Sequence, residues 1–430
     1  MKLRRLAALA VAGALVSACA PSTSQPSGGG DEKTGTLKVW LYDEAQRAPK
    51  EKVVNDAVAE FKAAHSGVEV EVTYIPTDPG PRAEKMKGAF NDPASAPDVV
   101  EVGNTDLAGY VAAGGLADLT ADLDGWAEAG DLPADLKSAA TVNGKVHGLP
   151  WWLGVRALYL RTDVFQELGL KPPTSYAELV AAARQIRAKK PDMLGIAVGG
   201  RYVFGALPFV WDAGGDLATQ SRDRYSATIN SPQSRAGVKA YTDLFQPGIC
   251  PAQQCVDLTG GKTVEAFAAG KAGMAILPNS SRGPVEAGSV KGKYAVVPLP
   301  GSKPGSIAPA FAGGQDLTVM ASTKRRTLAV EFLKLLGGKK YQLAMYDAMG
   351  NLPTLASARA EVVGKEPFLK PFVDTINAGT RFVPVTPAWG KIDAQLVVPN
   401  MLQKIITGRA GIDAATDEAA SAMNAAFAEQ

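Results

Sequence analysis

From Thr36 onward the chain alternates strand-like and helix-like segments, and this pattern limits its fold more than any other feature. Residues 36–43 (TLKVWLYD) read as a strand. Residues 49–65 place Val54, Ala57, Val58 and Phe61 at i, i+3, i+4 and i+7, the spacing of one helix face, and Gly67 ends the helix. Residues 68–76 alternate apolar and polar side chains, as a half-buried strand requires. A short apolar strand follows at 97–103. Ser175 and Glu178 form a capping box before a helix whose apolar face is Tyr176, Leu179, Val180, Ala183 and Ile186. Residues 194–200, 272–278, 294–300 and 316–322 read as further strands, and 327–338 as a helix with Ala329, Phe332, Leu333 and Leu336 inward. Such alternation implies an α/β fold of open sheets with helices on both faces. Roughly 400 residues exceed one ordinary core, so two lobes are expected.

Strand-like segments end at short polar turns: 43–47 (DEAQR), 103–106 (GNTD) and 279–283 (NSSRG). In open α/β sheets ligands bind beyond the strand ends, and two lobes set two such crevices face to face. Catalytic signatures are missing: no G-x-S-x-G, no H-E-x-x-H, no Walker A loop. His65 and His147, the two histidines, are too few and too scattered for histidine chemistry or zinc. Neither cofactor nor metal is expected, nor enzymatic activity. The 45 Lys and Arg nearly balance the 43 Asp and Glu, with no basic patch that would suit nucleic acid.

The N-terminus reads as an export signal. Lys2, Arg4 and Arg5 precede an apolar run at 6–16 that is too short to remain as a membrane span. The run ends in VSAC, and small residues followed by cysteine resemble a bacterial lipoprotein lipobox. The resemblance implies a signal peptide at 1–18, cleavage before Cys19 and acylation of its thiol, and hence anchoring to the outer face of the cell membrane. The alternative is ordinary cleavage with Cys19 incidental. Residues 20–35, rich in Ser, Pro and Gly, suit a flexible tether, so that 19–35 joins anchor to fold. Cys250 and Cys255 read as a disulfide in an exported protein, with metal binding as the alternative.

Trp151 and Trp152 are adjacent in a strand-like segment, so both cannot enter one core face. Trp389, beside a proline turn, suits either a structural lid or a platform for the C–H face of a sugar ring.

Several segments resemble the extracellular solute-binding proteins of carbohydrate ABC importers, the maltose-binding-protein-like group. They are APDVVEVGNTDLAGYVAAGGLADL, NGKVHGLPWWLGVRALYLRTDVFQELGLKPPTSYAEL, FAAGKAGMAI, VVPLPG, AFAGGQDLTVMASTKRRTLAVEFLKLLGG, MGNLPT and PVTPAWGKIDAQL. Their order fits from about Thr36 to the C-terminus.

The resemblance implies two lobes joined by three crossovers near Gly154, Phe311 and Gly350, with lobe one at 36–153 plus 312–350 and lobe two at 154–311 plus 351–430. A carbohydrate would lie in the cleft between them and pass to the transmembrane subunits of the permease, the receptor acting as a monomer. The tryptophan pair then falls at the first hinge, where one ring packs inward and the other faces the cleft, with Trp152 preferred for the cleft.

Further ligand contacts implied are Tyr42, Asp43 and Glu44 after the first strand, and Asn104, Thr105 and Asp106 after 97–103. Arg156 matches an arginine after the hinge, although Gly154 stands where relatives carry an acid. Arg201 and Tyr202 follow 194–200. Asn279, Ser280 and Ser281 stand where relatives often carry a tryptophan. Gly313, Gly314 and Gln315 follow the second crossover, and Trp389 with Asp393 forms the C-terminal platform.

Two rival readings follow. In one, the same fold serves a glycerol-phosphate diester, polyamine or peptide, with Arg156, Arg201 and Arg282 seating an anion. In the other, the chain is an exported glycosidase using two carboxylates.

Overall fold

The computed structural model describes residues 31–429 except 45, 46, 78, 222 and 223. The expected signal segment and Cys19, the expected site of lipidation, lie outside the described residues. Among those described, no helix is long and apolar enough to cross a membrane.

The chain opens with strand β1 (Gly35–Tyr42), helix α1 (Arg47–Ala64), strand β2 (Val68–Ile75), helix α2 (Pro79–Asn91), strand β3 (Val99–Gly103) and the short helix α3 (Leu107–Ala112). β1 runs parallel to β2 on one side and β3 on the other, with Val39 opposite both Val72 and Val99. α1 covers this sheet with Val53, Val54, Ala57 and Phe61; of the stripe that spacing indicates, Val58 is only partly buried, and Val53 is buried instead. Phe61 meets Phe332 edge to face at 5.3 Å.

Next comes the hairpin β4 (Thr141–Val142) and β5 (Lys145–Val146), turned at Asn143 and Gly144. Both have positive φ, 51° and 75°, as a primed two-residue turn demands. β6 (Leu149–Gly154) is followed almost without a break by β7 (Arg156–Arg161). β6 belongs to the first sheet, while β7 is the middle strand of the second.

The second lobe adds the hairpin β8 (Ala218–Ser221) and β9 (Arg224–Ala227), then β10 (Met274–Pro278), β11 (Tyr294–Val297) and β12 (Ala310–Phe311). β13 (Gly313–Val319) returns to the first sheet, β14 (Leu352–Pro353) completes it, and β15 (Thr380–Arg381) pairs with β12. The first sheet therefore runs β14-β6-β13-β3-β1-β2, and the second β10-β7-β11.

Two hydrophobic cores result. One is built around Val39, Val99, Trp151, Leu317 and Phe332. The other surrounds Tyr159, whose ring is met by Phe267, Tyr294, Phe368 and Phe372 at 5.8–6.3 Å. Core membership does not follow chain order strictly: Leu136 and Tyr346 pack into the second core.

Residues 194–200 do not form the strand that their apolar run suggests. They make only two parallel bridges, Leu194 to Ala272 and Ala197 to Ala275. The cause is close packing at glycine. A Cβ on Gly195 would lie 2.1 Å from the Ala183 carbonyl oxygen, and one on Gly199 would lie 2.1 Å from that of Leu258. The segment is pressed onto neighbouring backbone rather than laid out in a ladder. The second sheet is correspondingly smaller, and antiparallel.

Cys250 and Cys255 are disulfide-bonded, with their Cα atoms 6.0 Å apart. Both are buried, and Gly200 N–H donates to the Cys255 carbonyl. The loop closed is short, so the entropic gain is small, about 2 kcal/mol. The C250S/C255S double variant will lose that amount in urea unfolding and keep its far-UV circular dichroism.

Candidate functional site

Asn279 joins two of the three expected crossovers. Its backbone N–H donates to the Val155 carbonyl, its Oδ1 accepts from Val155 N–H at 2.9 Å, and its Nδ2 donates to the Gly350 carbonyl at 3.1 Å. The side chain is 3 % exposed. Asn279 is thus a hinge clamp rather than a ligand contact: its donor and acceptor groups are spent on the first and third crossovers. Ser280 is exposed in the following turn, and Ser281 is buried.

β6 sorts the two tryptophans by strand alternation. Trp151 is 1 % exposed in the first core, with the Lys50 ammonium 5.4 Å from its ring centre. This corrects its placement among the ligand contacts. Trp152 is half-buried on the other face, and its indole N–H has no partner.

Gln315 stands opposite both Trp152 and Gly103, so one stripe runs Gly103–Gln315–Trp152–Pro353 across β3, β13, β6 and β14. The Gln315 Oε1 is also unpaired. An indole donor and an amide acceptor thus stand side by side on one sheet face. Glycine neighbours make this possible, since a Cβ on Gly314 would lie 2.1 Å from the Trp152 carbonyl oxygen.

The loop after β3 carries the other candidates. Asp106 accepts from Arg82 at 2.8 Å, and Arg82 lies over the Tyr42 ring at 5.2 Å. Burial raises the Asp106 carboxyl above the usual range, against the pull of Arg82. Tyr42 is 3 % exposed, and its hydroxyl accepts from Gly103 N–H at 3.0 Å. It supports the loop from below, which corrects its reading as a contact.

Glu44 is engaged by Lys50 at 2.9 Å, and the exposed Asp43 lies 3.9 Å from Arg47. Asn104 Nδ2 donates to the Ala312 carbonyl and its N–H to that of Gly314, tying the loop to the second crossover. Thr105 lines the interlobe gap beside it.

Asp316, next to Gln315, is buried with Oδ2 unpaired, and burial alone pushes its carboxyl up to about 7. A carboxyl raised in the folded state stabilises the fold below the unfolded value near 4 and loses that contribution as pH climbs through 7. At about 1.4 kcal/mol per unit the loss is on the order of 4 kcal/mol. Asp316→Asn will therefore gain stability relative to wild type between pH 4.5 and pH 8, as chemical denaturation at the two pH values will measure.

In the second lobe Arg156 Nε donates to the Tyr202 hydroxyl at 3.0 Å, and its guanidinium sits 5.0 Å from the Phe204 ring centre and 5.6 Å from that of Phe311. Phe204 and Phe311 are stacked at 4.2 Å. Tyr202 is 4 % exposed and holds Arg156, which corrects its reading as a ligand group. Arg201 is exposed, with its N–H on the Leu258 carbonyl.

Trp389 is 3 % exposed in the second core and is no platform here. It shares the buried face of the helix Ala388–Ala394 with Ala388 and Ile392. Ile392, three residues on, was the sequence signal for this inward turn. Asp393 departs from that face. Partial burial and then the Asp106 charge raise its carboxyl above the usual range.

Ala108 and Val111 follow one face of α3 with Asn104 in the loop before it, while Asp106 and Tyr110 lie toward Arg82. Along that face the gap is nearly shut beside Phe311 and Val383, then widens at Val111 into a cavity of about 800 Å³. Arg82, Phe204 and Val385 carried no sequence signal, because their roles come from segments far away in the chain. Among the described residues no cluster of His, Cys, Asp and Glu could hold a metal ion.

A profile of bacterial extracellular solute-binding proteins matches residues 56–370. The diacetylchitobiose binding protein DasA of Streptomyces coelicolor is 26 % identical over 436 residues, spanning 96 % of this chain and 96 % of its own. The multiple sugar-binding protein of Streptococcus mutans is 23 % identical, with 91 % of each chain covered. Among solved structures, the sugar-binding protein MalE from Xanthomonas citri superposes with a TM-score of 0.80 at 20 % identity, covering 92 % of this chain and 98 % of that one. The GacH receptor of Streptomyces glaucescens, solved unliganded and with acarbose, gives 0.75 at 22 %, covering 92 % and 99 %. These superpositions establish the two-lobed fold.

Proposed function

The chain belongs to the bacterial extracellular solute-binding proteins, a family of binding proteins rather than enzymes, and from that premise we propose that it captures a carbohydrate between its lobes for an ABC importer. The observation that carries this reading is the juxtaposition of the Trp152 indole N–H and the Gln315 amide oxygen across β6 and β13, both shielded from solvent and without a hydrogen-bond partner among the described residues. An indole offers an apolar surface to sugar C–H groups, and the two polar atoms give direction to hydroxyls. Asn104, Thr105 and Asp106 extend that wall. Names of relatives that bind diacetylchitobiose or multiple sugars support the same class.

In this reading the lobes, 36–153 with 312–350 and 154–311 with 351–430 apart from β14, which pairs in the first sheet, close on the ligand because it touches both and so binds the closed state better. The receptor, a monomer held at the outer face of the membrane through Cys19, then docks on the permease. The charged-solute alternative has less support. Arg282 is paired with Glu366 and Arg156 packs among Tyr202, Phe204 and Phe311, which leaves the exposed Arg201 as the remaining arginine of that set.

Tryptophan fluorescence and thermal shift across neutral mono- and oligosaccharides will test the proposal. At least one sugar is expected to bind with a micromolar or better Kd, about −8 kcal/mol. Silence across the panel, with binding of a phosphate diester or peptide instead, would overturn it.

A further inference from the structure

Arg82 lies on the inward face of α2, in line with the buried Met86 and Ala89 four and seven residues on. That puts its charge in the first turn of α2, where the helix dipole disfavours a cation and no acidic residue of the turn offsets it. The countercharge comes from another element, the loop after β3: Nη2 donates to Asp106 Oδ2 at 2.8 Å. Nη1 donates to the Thr77 carbonyl, and the guanidinium lies 5.2 Å from the centre of the Tyr42 ring. We infer that Arg82 is a positioning residue of the binding site, which fixes the Asp106 carboxylate as an anion beside Gln315 for the hydroxyls of the ligand. The inference rests on the carbohydrate reading and deepens it.

Two observations carry it. The first is where the anion is held. A Cβ on Gly103 would lie 3.2 Å from Asp106 Oδ2 and 3.4 Å from Gln315 Oε1. Glycine at this point therefore lets two acceptors, one from the loop and one from β13, crowd the same stretch of backbone. Two acceptors so placed repel each other. Oδ2 is the oxygen that Arg82 engages, so the guanidinium offsets that repulsion and leaves Oδ1 for a ligand hydroxyl.

The second observation is the balance of charge. Burial favours the neutral acid at Asp106, and Arg82 opposes it. The other titratable groups that sense this carboxyl are Tyr42 on β1, Tyr110 on α3 and Asp393 on the helix Ala388–Ala394, and none of them brings a positive charge. An ionised carboxylate accepts a hydroxyl about twice as strongly as a neutral group does, so the charge state governs what the loop offers a sugar.

Two measurements on the full protein test the inference. One needs no sugar: a pH titration by carbon-13 NMR of protein labelled at the aspartate side-chain carboxyls, with the Asp106 signal assigned through Asp106→Asn. Arg82→Met is expected to move the Asp106 midpoint up by about one pH unit or more, and Arg82→Lys, which keeps the charge, by less than half as much. The other is a binding cycle at pH 7.5, by isothermal titration with maltose and N,N′-diacetylchitobiose, or with the sugar that the wider panel identifies. Arg82→Met should weaken binding about tenfold in the wild-type background and less than about twofold in Asp106→Asn. A residue that only supported the fold would cost the same in both backgrounds. An Asp106 midpoint that Arg82→Met leaves in place overturns the inference, and so does an equal loss of affinity in the two backgrounds. The carbohydrate reading survives both results wherever the wild-type protein binds a sugar. If it binds none, that reading falls and the inference with it.

Discussion

Replacing Lys50 with methionine will lower the stability of the first lobe by about 3–5 kcal/mol. The ammonium is fully buried and lies 2.8 Å from Glu101, which is equally buried, and 2.9 Å from Glu44. It also donates to the Tyr42 carbonyl at 3.2 Å. Burial works against the charge on Lys50, but Glu101 and Glu44 outweigh it and hold the ammonium above the usual lysine range. Burial pushes the Glu101 carboxyl up, and Lys50 opposes that rise.

Removing the lysine strands a carboxylate whose remaining protein partner is the Tyr42 N–H, at 2.8 Å. The double variant K50M/E101L will recover much of the loss, because replacing both partners with apolar groups leaves no buried charge unpaired. Urea unfolding followed by tryptophan fluorescence will report it, given Trp151 beside Lys50. A cost below about 1 kcal/mol for K50M would show that the pair does not support the lobe.

Trp151→Ala and Trp152→Ala will separate stability from binding at adjacent positions. Trp151→Ala opens a cavity in the first core and is expected to cost about 3–5 kcal/mol of stability. Trp152→Ala removes a half-buried ring whose N–H satisfies nothing in the protein. It should leave the unfolding midpoint close to wild type but weaken sugar binding about 100-fold or more, the scale of a tryptophan hot spot. Trp152→Phe, which keeps a ring and loses the donor, should fall between. Unchanged sugar affinity in Trp152→Ala would remove this residue from the site, whatever happens at Trp151.

Much of the frame was legible. The helical spacing of Val54, Ala57 and Phe61 appears as the buried face of α1. Ser175 caps its helix by accepting from Glu178 N–H at 3.3 Å. Strand alternation dictated that Trp151 and Trp152 part company. Less of the site could be read. Tyr42, Tyr202, Asn279 and Trp389 are polar or aromatic residues on turns that face a cleft in the linear reading, yet all four are buried supports.

The sequence by itself determined the α/β alternation, the helix faces and caps, and the close cysteine pair, because each depends on neighbours within a few residues. Only the tertiary structure decided that Asn279 joins two crossovers and that Arg82 reaches Asp106. Periodicity specifies which side of an element shuns water, but not which segment will cover it. That choice belongs to contacts between residues tens to hundreds of positions apart.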